Sequence, residues 1–288
     1  MSAPQFSRVV IVGVGLIGGS FALALKRAGL VREVIGVGRQ AKNLQQALDL
    51  GVIDQALPLA QAVKGADLVL LAVPVAQTEA VLNTITPHLE SHTLITDGGS
   101  TKQDVIAAAR RALGDKFTQF VPAHPIAGSD KSGAAAAFAE LYQDRHLILC
   151  PEPETPAAAL NIVRAAWQAC GAKITEMPAA QHDAVFATAS HLPHLLAFSY
   201  MNLVLQSPQR ESALKLAGSG FRDFTRIAGA NPEMWADIAC ANQNALIDDL
   251  QRYQLILQEL QQLIERGDKQ GLQTLFAQAS QARQQWKI

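Results

Sequence analysis

The sequence is poor in cysteine, in net charge and in long apolar runs, and each lack excludes something. Three cysteines, Cys150, Cys170 and Cys240, stand among 288 residues. They are odd in number and far apart, which fits neither a disulfide framework nor a metal site; they read as core thiols in a reducing cytosol, with no metal expected. Lys and Arg number 24, Asp and Glu 25, a formal net charge of −1. Such a balance exerts no long-range pull on nucleic acid or on an anionic membrane, so any anion must be bound by local geometry. Apolar stretches such as "ADLVLLAVPVA" are too short to cross a bilayer. The opening, "MSAPQFSRVV", lacks the basic flank and apolar run of a signal peptide, so the cytoplasm is the expected location. No internal repeat or low-complexity tail is visible. What is present is 49% hydrophobic and 17% charged residues, enough for a sizeable core over a length that suits two domains.

From Val9 to about Pro178, short β-rich runs alternate with helical patterns. The expected strands are "VVIVGV", "EVIGVG", "DLVLLAV", "HTLITD", "FVPAHP", "HLILCP" and "KITEMP". Short continuous apolar strands alternating with helices predict a parallel sheet covered on both faces. "PEPETP" reads as a linker, but the helix-then-strand rhythm continues beyond it. The boundary therefore falls near Pro178: an α/β Rossmann-type dinucleotide-binding domain over residues 1–177, then an all-α substrate and dimerisation domain over 178–288. In the second part "DAVFATASHLPHLLAFSYMNLVL" is apolar nearly all round, which predicts a helix buried on every side. Leu246, Leu250, Tyr253, Leu257, Leu260 and Ile264 repeat at alternating spacings of four and three, a heptad seam. That seam serves packing within the chain or a homodimer interface.

The stretch "RVVIVGVGLIGGSFALALKRAGL" carries the first chemistry. Gly13-Val14-Gly15-Leu16-Ile17-Gly18 is a G-x-G-x-x-G, with a β-branched strand before it and an Ala/Leu helix after it. Gly13 permits the tight turn, Gly15 lets a pyrophosphate approach the backbone, and Gly18 lets helix and strand pack closely. The helix N-terminus then offers free N–H groups to the phosphates. At the end of the next strand, where NAD-preferring sites carry an acidic residue, stand Gly38 and Arg39. Glycine removes a repelling carboxylate, and arginine can pair with a 2′-phosphate, so NADP is the expected cofactor, with NAD possible. Arg39 stacking on adenine or facing solvent is the alternative.

Three further clusters stand out. "TDGGSTK", Thr96 to Lys102, follows a strand, which places Ser100 and Lys102 near a nicotinamide; a capped glycine turn is the structural alternative. "AHPIAGSDKSG" places His124 at a strand end, where an imidazole can take an alcohol proton as hydride leaves its carbon. "SHLPHLLAF" puts Ser190 and His194 four residues apart on one helix face; the alternative is core histidines bonded to carbonyls. "SGFRDFTRIAGANPEMW" adds Arg222 and Arg226, guanidiniums suited to a carboxylate or phosphate.

Together, "GVGLIGGS", "LAVPV", "DGGSTK", "HPIAGSDKSG", "SHLPHLLAF" and "GFRDFTRIAGANPEMW" resemble, in order and over almost the whole chain, the prephenate/arogenate dehydrogenases of tyrosine biosynthesis. The resemblance implies oxidative decarboxylation of a cyclohexadienol with hydride transfer to NAD(P). By motif, His124 would draw off the C4 hydroxyl proton and Ser100 would orient that hydroxyl or the nicotinamide. Arg226 would hold a substrate carboxylate, Ser190 and His194 would contact the substrate side chain, and Trp235 would lie near the pocket. Gly13, Gly15, Leu16, Ile17, Gly18, Arg39, Val73, Pro74 and Lys102 would serve the cofactor. Ser129 and Asp130 fall in the substrate loop, and Asp130 would favour the ammonium of arogenate over the keto group of prephenate. Family members are homodimers joined through the helical domain, so the partners expected are the small substrate and a second copy. The family often has an acidic residue where Gly38 stands, and some relatives carry a fused mutase or regulatory domain. The chain has room for neither, so tyrosine feedback, if present, would act by competition at the active site. Two other classes remain: a dehydrogenase of another hydroxy acid, or a nucleotide-sensing protein without catalysis. The first usually relies on a lysine in the helical domain, and none stands between Lys173 and Lys215.

Overall fold

The computed structural model describes residues 5–128 and 131–286. Six strands, β1 (Phe6–Val12), β2 (Val31–Val37), β3 (Gln55–Ala56), β4 (Leu68–Leu71), β5 (Leu94–Asp97) and β6 (Phe120–Val121), form a sheet of order β3-β2-β1-β4-β5-β6. Every pairing in it is parallel. Successive side chains of a strand point to opposite faces, and both faces here are covered. Val9, Ile11, Leu68 and Leu70 join one buried cluster with Phe21, Leu25 and Trp167. Val10, Val12, Val69 and Leu71 join a second with Leu82, Val105 and Phe120. This is why the strands read as unbroken apolar runs rather than as an alternation.

Two details differ from the sequence expectation. "FVPAHP" is not one strand. Pro122, which has no N–H for a ladder, separates β6 from β7 (Ala123–Pro125). The latter joins β8 (His146–Leu149) and β9 (Lys173–Glu176) in a second, three-stranded sheet. There β7 runs antiparallel to β8, and β8 runs parallel to β9. The two-residue edge strand β3 was not expected, because a run that short has no periodicity to read.

The change from mixed to all-helical structure falls at Pro178: among the described residues beyond it no strand occurs. By compactness the chain forms two units, Met1–Asn242 and Gln243–Ile288. The helices Ala179–Phe186 and Leu192–Gln206 are joined by a π-helical turn, Ala187–His191. The burial expected on every side of this segment is not met within the single chain. Leu192, Ala197 and Val204 are buried, but Leu203 is 65% and Leu205 50% exposed. Apolar character marks a surface that avoids water; it does not say which chain covers it. In the second unit the helix Gln243–Glu265 is followed by Lys269–Gln285, whose start is capped by Asp268 on the Gly271 N–H at 2.9 Å. Of the seam residues, Leu246 is buried, while Leu257 and Ile264 are exposed. Cys150 and Cys170 are buried thiols, each pushed up to about 12 by burial. Cys240 is exposed, contrary to expectation, because it lies on the outer side of the helix Pro232–Ala241.

Candidate active site

Strand order reverses at β1, which pairs with both β2 and β4. The chains leaving β1 and β4 diverge there, and such a switch point opens the crevice in which α/β sheets bind ligands. The turn after β1 holds the glycines. Gly13 has φ +100°, and a Cβ on it would collide with the Ala72 carbonyl. A Cβ on Gly18 would strike the Gly13 carbonyl and the Ile11 side chain, so helix–strand packing requires its absence. Gly15 is different: a Cβ there meets nothing within 4 Å. It is the N-cap of the helix Leu16–Arg27, and no side chain caps that helix. Its first N–H groups are left for an anion. Val73 and Pro74 lie on the opposite lip, directly after β4. Arg39 is exposed beyond β2, with no hydrogen bond or ion pair to the described residues. These features fit a dinucleotide. We therefore expect Gly15→Val to weaken dinucleotide binding by about 100-fold, ~2.7 kcal/mol, with little change in melting temperature. Titration calorimetry checks this; an unchanged Kd would place the pyrophosphate elsewhere.

A buried brace joins the two polar loops beyond β5 and β6. The Asp97 carboxylate accepts from the Gly99 N–H at 2.8 Å and from the Ala123 N–H at 2.9 Å, and it pairs with the Lys102 ammonium. Lys102 also donates to the Ala123 carbonyl at 2.8 Å and is fully buried. Its side chain thus ties "DGGSTK" to "AHP" from below and has no ammonium face open to a nicotinamide, contrary to the cofactor contact expected of it. Ser100, half-buried, sits at the top of the same turn.

His124 follows on β7 and is half-buried. Its Nδ1 lies 2.8 Å from Nε2 of His182, and His182 Nδ1 lies 2.8 Å from Oδ1 of Asp183. Asp183 further accepts the Lys102 and Gln103 N–H groups at 2.8 and 2.9 Å, capping the helix Gln103–Leu113 from outside it. Phe186 packs edge-on against His124, with ring centres 4.9 Å apart. Burial, then the neighbouring His182, Lys102 and His191, hold the His124 imidazole well below its ordinary pKa. Burial lowers His182 as well, against the pull of the Asp183 hydrogen bond. For Asp183 burial acts upward, but His182 and the two backbone N–H groups outweigh it and hold the carboxyl low. His124 is therefore a neutral base at neutral pH.

On the helical side, His194 stacks on Trp235 at 3.7 Å and 18° and donates Nδ1–H to the Ser190 carbonyl at 2.8 Å. Burial lowers its pKa against the pull of that carbonyl, and Arg226 lowers it further. His191, pushed down to about 4 by burial, accepts at Nδ1 from Asn242 at 3.1 Å, and Asn242 also donates to the Asp183 carbonyl at 2.8 Å. Trp235 is buried, its indole N–H unpaired, while Arg226 and Arg222 are exposed. Ser129 and Asp130 lie outside the described residues.

Sequence reasoning missed His182, Asp183, His191 and Asn242. The adjacent pair in "QHDAV" was the available signal: a His–Asp dipeptide in an otherwise apolar helical stretch. Asn242 had none, since its partners lie 51 and 59 residues away.

These histidines also set a pH dependence of stability. Each has a folded pKa below its unfolded value, so between the two the unfolded chain binds more protons and stability rises with pH. For His191 the window runs from about 4 up to the ordinary 6.5. Its contribution is complete above the window and is lost as the pH falls through it. Urea midpoints across this window should fall with acid, and a flat response would mean that the imidazoles are solvated in the folded chain.

Fold and site alone place the protein among dinucleotide-dependent oxidoreductases: the sheet provides the nucleotide crevice, and a neutral imidazole stands at its mouth. Comparison with known proteins narrows this. Residues 21–176 match the family model "Prephenate dehydrogenase, nucleotide-binding domain", and residues 178–278 match "Prephenate dehydrogenase, dimerization domain". A prephenate dehydrogenase of Bacillus subtilis is 36% identical over 96% of this chain and 75% of its own length. A cyclohexadienyl dehydrogenase of Zymomonas mobilis is 35% identical over 96% of this chain and 95% of its own. The crystal structure of a prephenate dehydrogenase from Aquifex aeolicus, in complex with hydroxyphenyl propionate and NAD+, superposes with a TM-score of 0.91 at 32% identity. It covers 98% of this chain and 99% of that one. The chain belongs to the prephenate dehydrogenase family of oxidoreductases. Among the described residues no helix is long and apolar enough to cross a membrane, and no cluster of three His, Cys, Asp or Glu could hold a metal ion.

Proposed function

We propose that the protein carries out the oxidative decarboxylation of a cyclohexadienol bearing a ring carboxylate, prephenate or arogenate, in tyrosine biosynthesis. The observation that carries this is the neutral His124 at the carboxyl end of the sheet, with one nitrogen committed to His182 at 2.8 Å. Its other nitrogen, Nε2, takes the proton of the ring hydroxyl. A nicotinamide dinucleotide, when bound, supplies the hydride acceptor. Aromatisation drives loss of the carboxylate, so the chain needs no acid at that carbon; it needs a base at the hydroxyl and a fixed substrate. Ser100 orients the hydroxyl. Arg226 pairs with a substrate carboxylate, and Ser190, His194 and Trp235 face the side chain.

Gly13, Gly15, Leu16, Ile17 and Gly18 cradle the pyrophosphate, with Val73 and Pro74 across from them. Arg39 takes a 2′-phosphate, which favours NADP while leaving NAD usable. His194 supports a preference for arogenate. With Nδ1–H given to the Ser190 carbonyl, the neutral ring presents a lone pair at Nε2, which suits an ammonium donor rather than a keto acceptor. The working division is residues 1–177 for the nucleotide and 178–288 for substrate and pairing, in a cytoplasmic homodimer. Leu203 and Leu205, exposed in the single chain, support the pairing.

The test is nicotinamide reduction by the purified protein with arogenate and prephenate in parallel, each with NADP and NAD. Faster turnover of arogenate with NADP is expected. Silence in all four combinations would overturn the reading.

A further inference from the structure

We infer that His182 and Asp183 form, with His124, a proton relay running from the reacting hydroxyl to the N-terminus of the helix Gln103–Leu113, in which His182 is a positioning residue that dictates which nitrogen of His124 reacts. The inference rests on the reaction proposed above and adds two residues to it.

The tautomers follow from the partners. Asp183 receives three N–H groups besides the imidazole: Lys102 N at 2.8 Å, Gln103 N at 2.9 Å and Gln103 Nε2 at 3.2 Å. A carboxyl group so supplied with donors is ionised and only accepts. His182 Nδ1, 2.8 Å away, must therefore carry its proton. A neutral His182 then has its lone pair on Nε2, and the bond to His124 requires a proton on His124 Nδ1. The Nε2 lone pair of His124 is left for the substrate. A solvated imidazole exchanges its proton between both nitrogens; here the chain of bonds fixes it.

The same bonds can move charge. The hydroxyl proton passes to His124 Nε2, while the alcohol carbon gives up hydride to the nicotinamide and the O–H electron pair becomes the new C=O bond. The imidazolium formed then releases its Nδ1 proton to His182 Nε2. His182 keeps its Nδ1 proton against Asp183, so the positive charge rests beside a carboxylate while carbon dioxide leaves. The electron pair of the broken C–C bond enters the ring, the carbonyl oxygen becomes a phenolate, and the relay returns the proton through His124 to that oxygen, so that no net proton is released. The charged or titratable groups facing the relay are Lys102 and His191 toward His124, Lys102, Asp97 and Asp183 toward His182, and His191, Asp104 and Cys150 toward Asp183. Asn242, which donates to both the Asp183 carbonyl and His191, holds the two segments together. A neighbouring group that sets the tautomer of a catalytic imidazole is worth orders of magnitude in other enzymes.

Nitrogen-15 spectra of the histidines in the full-length protein, without substrate, test the positioning. His124 should show a protonated Nδ1 and a bare Nε2. In His182→Phe that preference should be lost and kcat should fall about 100-fold, with KM and dinucleotide Kd nearly constant. His182→Gln can accept from His124 and donate to Asp183 but cannot pass a proton. It should keep the tautomer, recover about 10-fold of the lost kcat and turn a curved proton inventory linear. It is also the variant to use should His182→Phe fail to fold. A protonated Nε2 on His124 in the unsubstituted protein would overturn the positioning role. A His182→Gln enzyme with full kcat would overturn the proton transfer. If the unsubstituted enzyme turns over neither substrate, the reaction reading fails and the transfer with it, while the spectra decide the positioning by themselves.

Discussion

His124→Asn is expected to lower kcat by about 10³-fold while leaving dinucleotide affinity unchanged. Asparagine is close in size and keeps a polar contact with His182, so β7 and its pairing with β8 need not move. What it cannot do is hold a proton at neutral pH. The imidazole is fitted for that task by burial and by its cationic or neutral neighbours, which keep it unprotonated. The dinucleotide crevice is built from the turns after β1 and β4, whereas the His124 side chain bonds to His182. Steady-state rates and fluorescence titration of the cofactor separate the two effects. A variant within ten-fold of the parent would mean that water or another group removes the hydroxyl proton.

The second large effect is on stability. Asp97→Ala should destabilise the fold by about 3–5 kcal/mol, because it leaves a buried ammonium without its counter-charge. Lys102 is fully buried, and its other partner is a neutral carbonyl, that of Ala123. The N–H groups of Gly99 and Ala123 lose their acceptor in the same step. Asp97→Asn retains acceptor capacity for one of them and should recover part of the loss. Denaturant unfolding monitored by Trp167, which lies in the core, gives the difference directly. A loss under about 1 kcal/mol would mean that water reaches the pair.

How much of this was legible in advance depends on how local each cause is. The glycine turn was readable because strand, turn and helix are contiguous, and each glycine answers to a neighbour within the same motif or to β4. His124 was readable because a strand end in an α/β sheet is already a probable place for chemistry. The break at Pro122 was not, since proline suits an extended chain as well as it ends one. Lys102 was misjudged for a related reason: a lysine after a glycine turn normally points to solvent, and only the tertiary structure shows Asp97 and Ala123 closing over it. His182 and Asp183 belong to the same class. A buried polar pair announces itself through its partners, and these lie 58 and 80 or more residues away in sequence. The leucines of Leu192–Gln206 are apolar as the sequence says, and the cover this implies is incomplete in the single chain, because hydropathy does not count chains.

The π-helical turn at Ala187–His191 has a consequence for insertions and deletions. A π-turn carries one residue more than the α-helical path it interrupts. Removing that extra residue would let the segment relax to a continuous α-helix with its flanks nearly in phase, since the residues of the wide turn advance about as far around the axis as one fewer at roughly 100° each. A residue added between this turn and His194, where nothing takes it up, would instead rotate everything beyond it by roughly 100°. It would swing His194 away from the Trp235 ring on which it stacks and turn the exposed faces of Leu203 and Leu205 with it. The wide turn is thus the place in this helical segment where the loss of one residue leaves the substrate side of the site and the apolar surface beyond it in register.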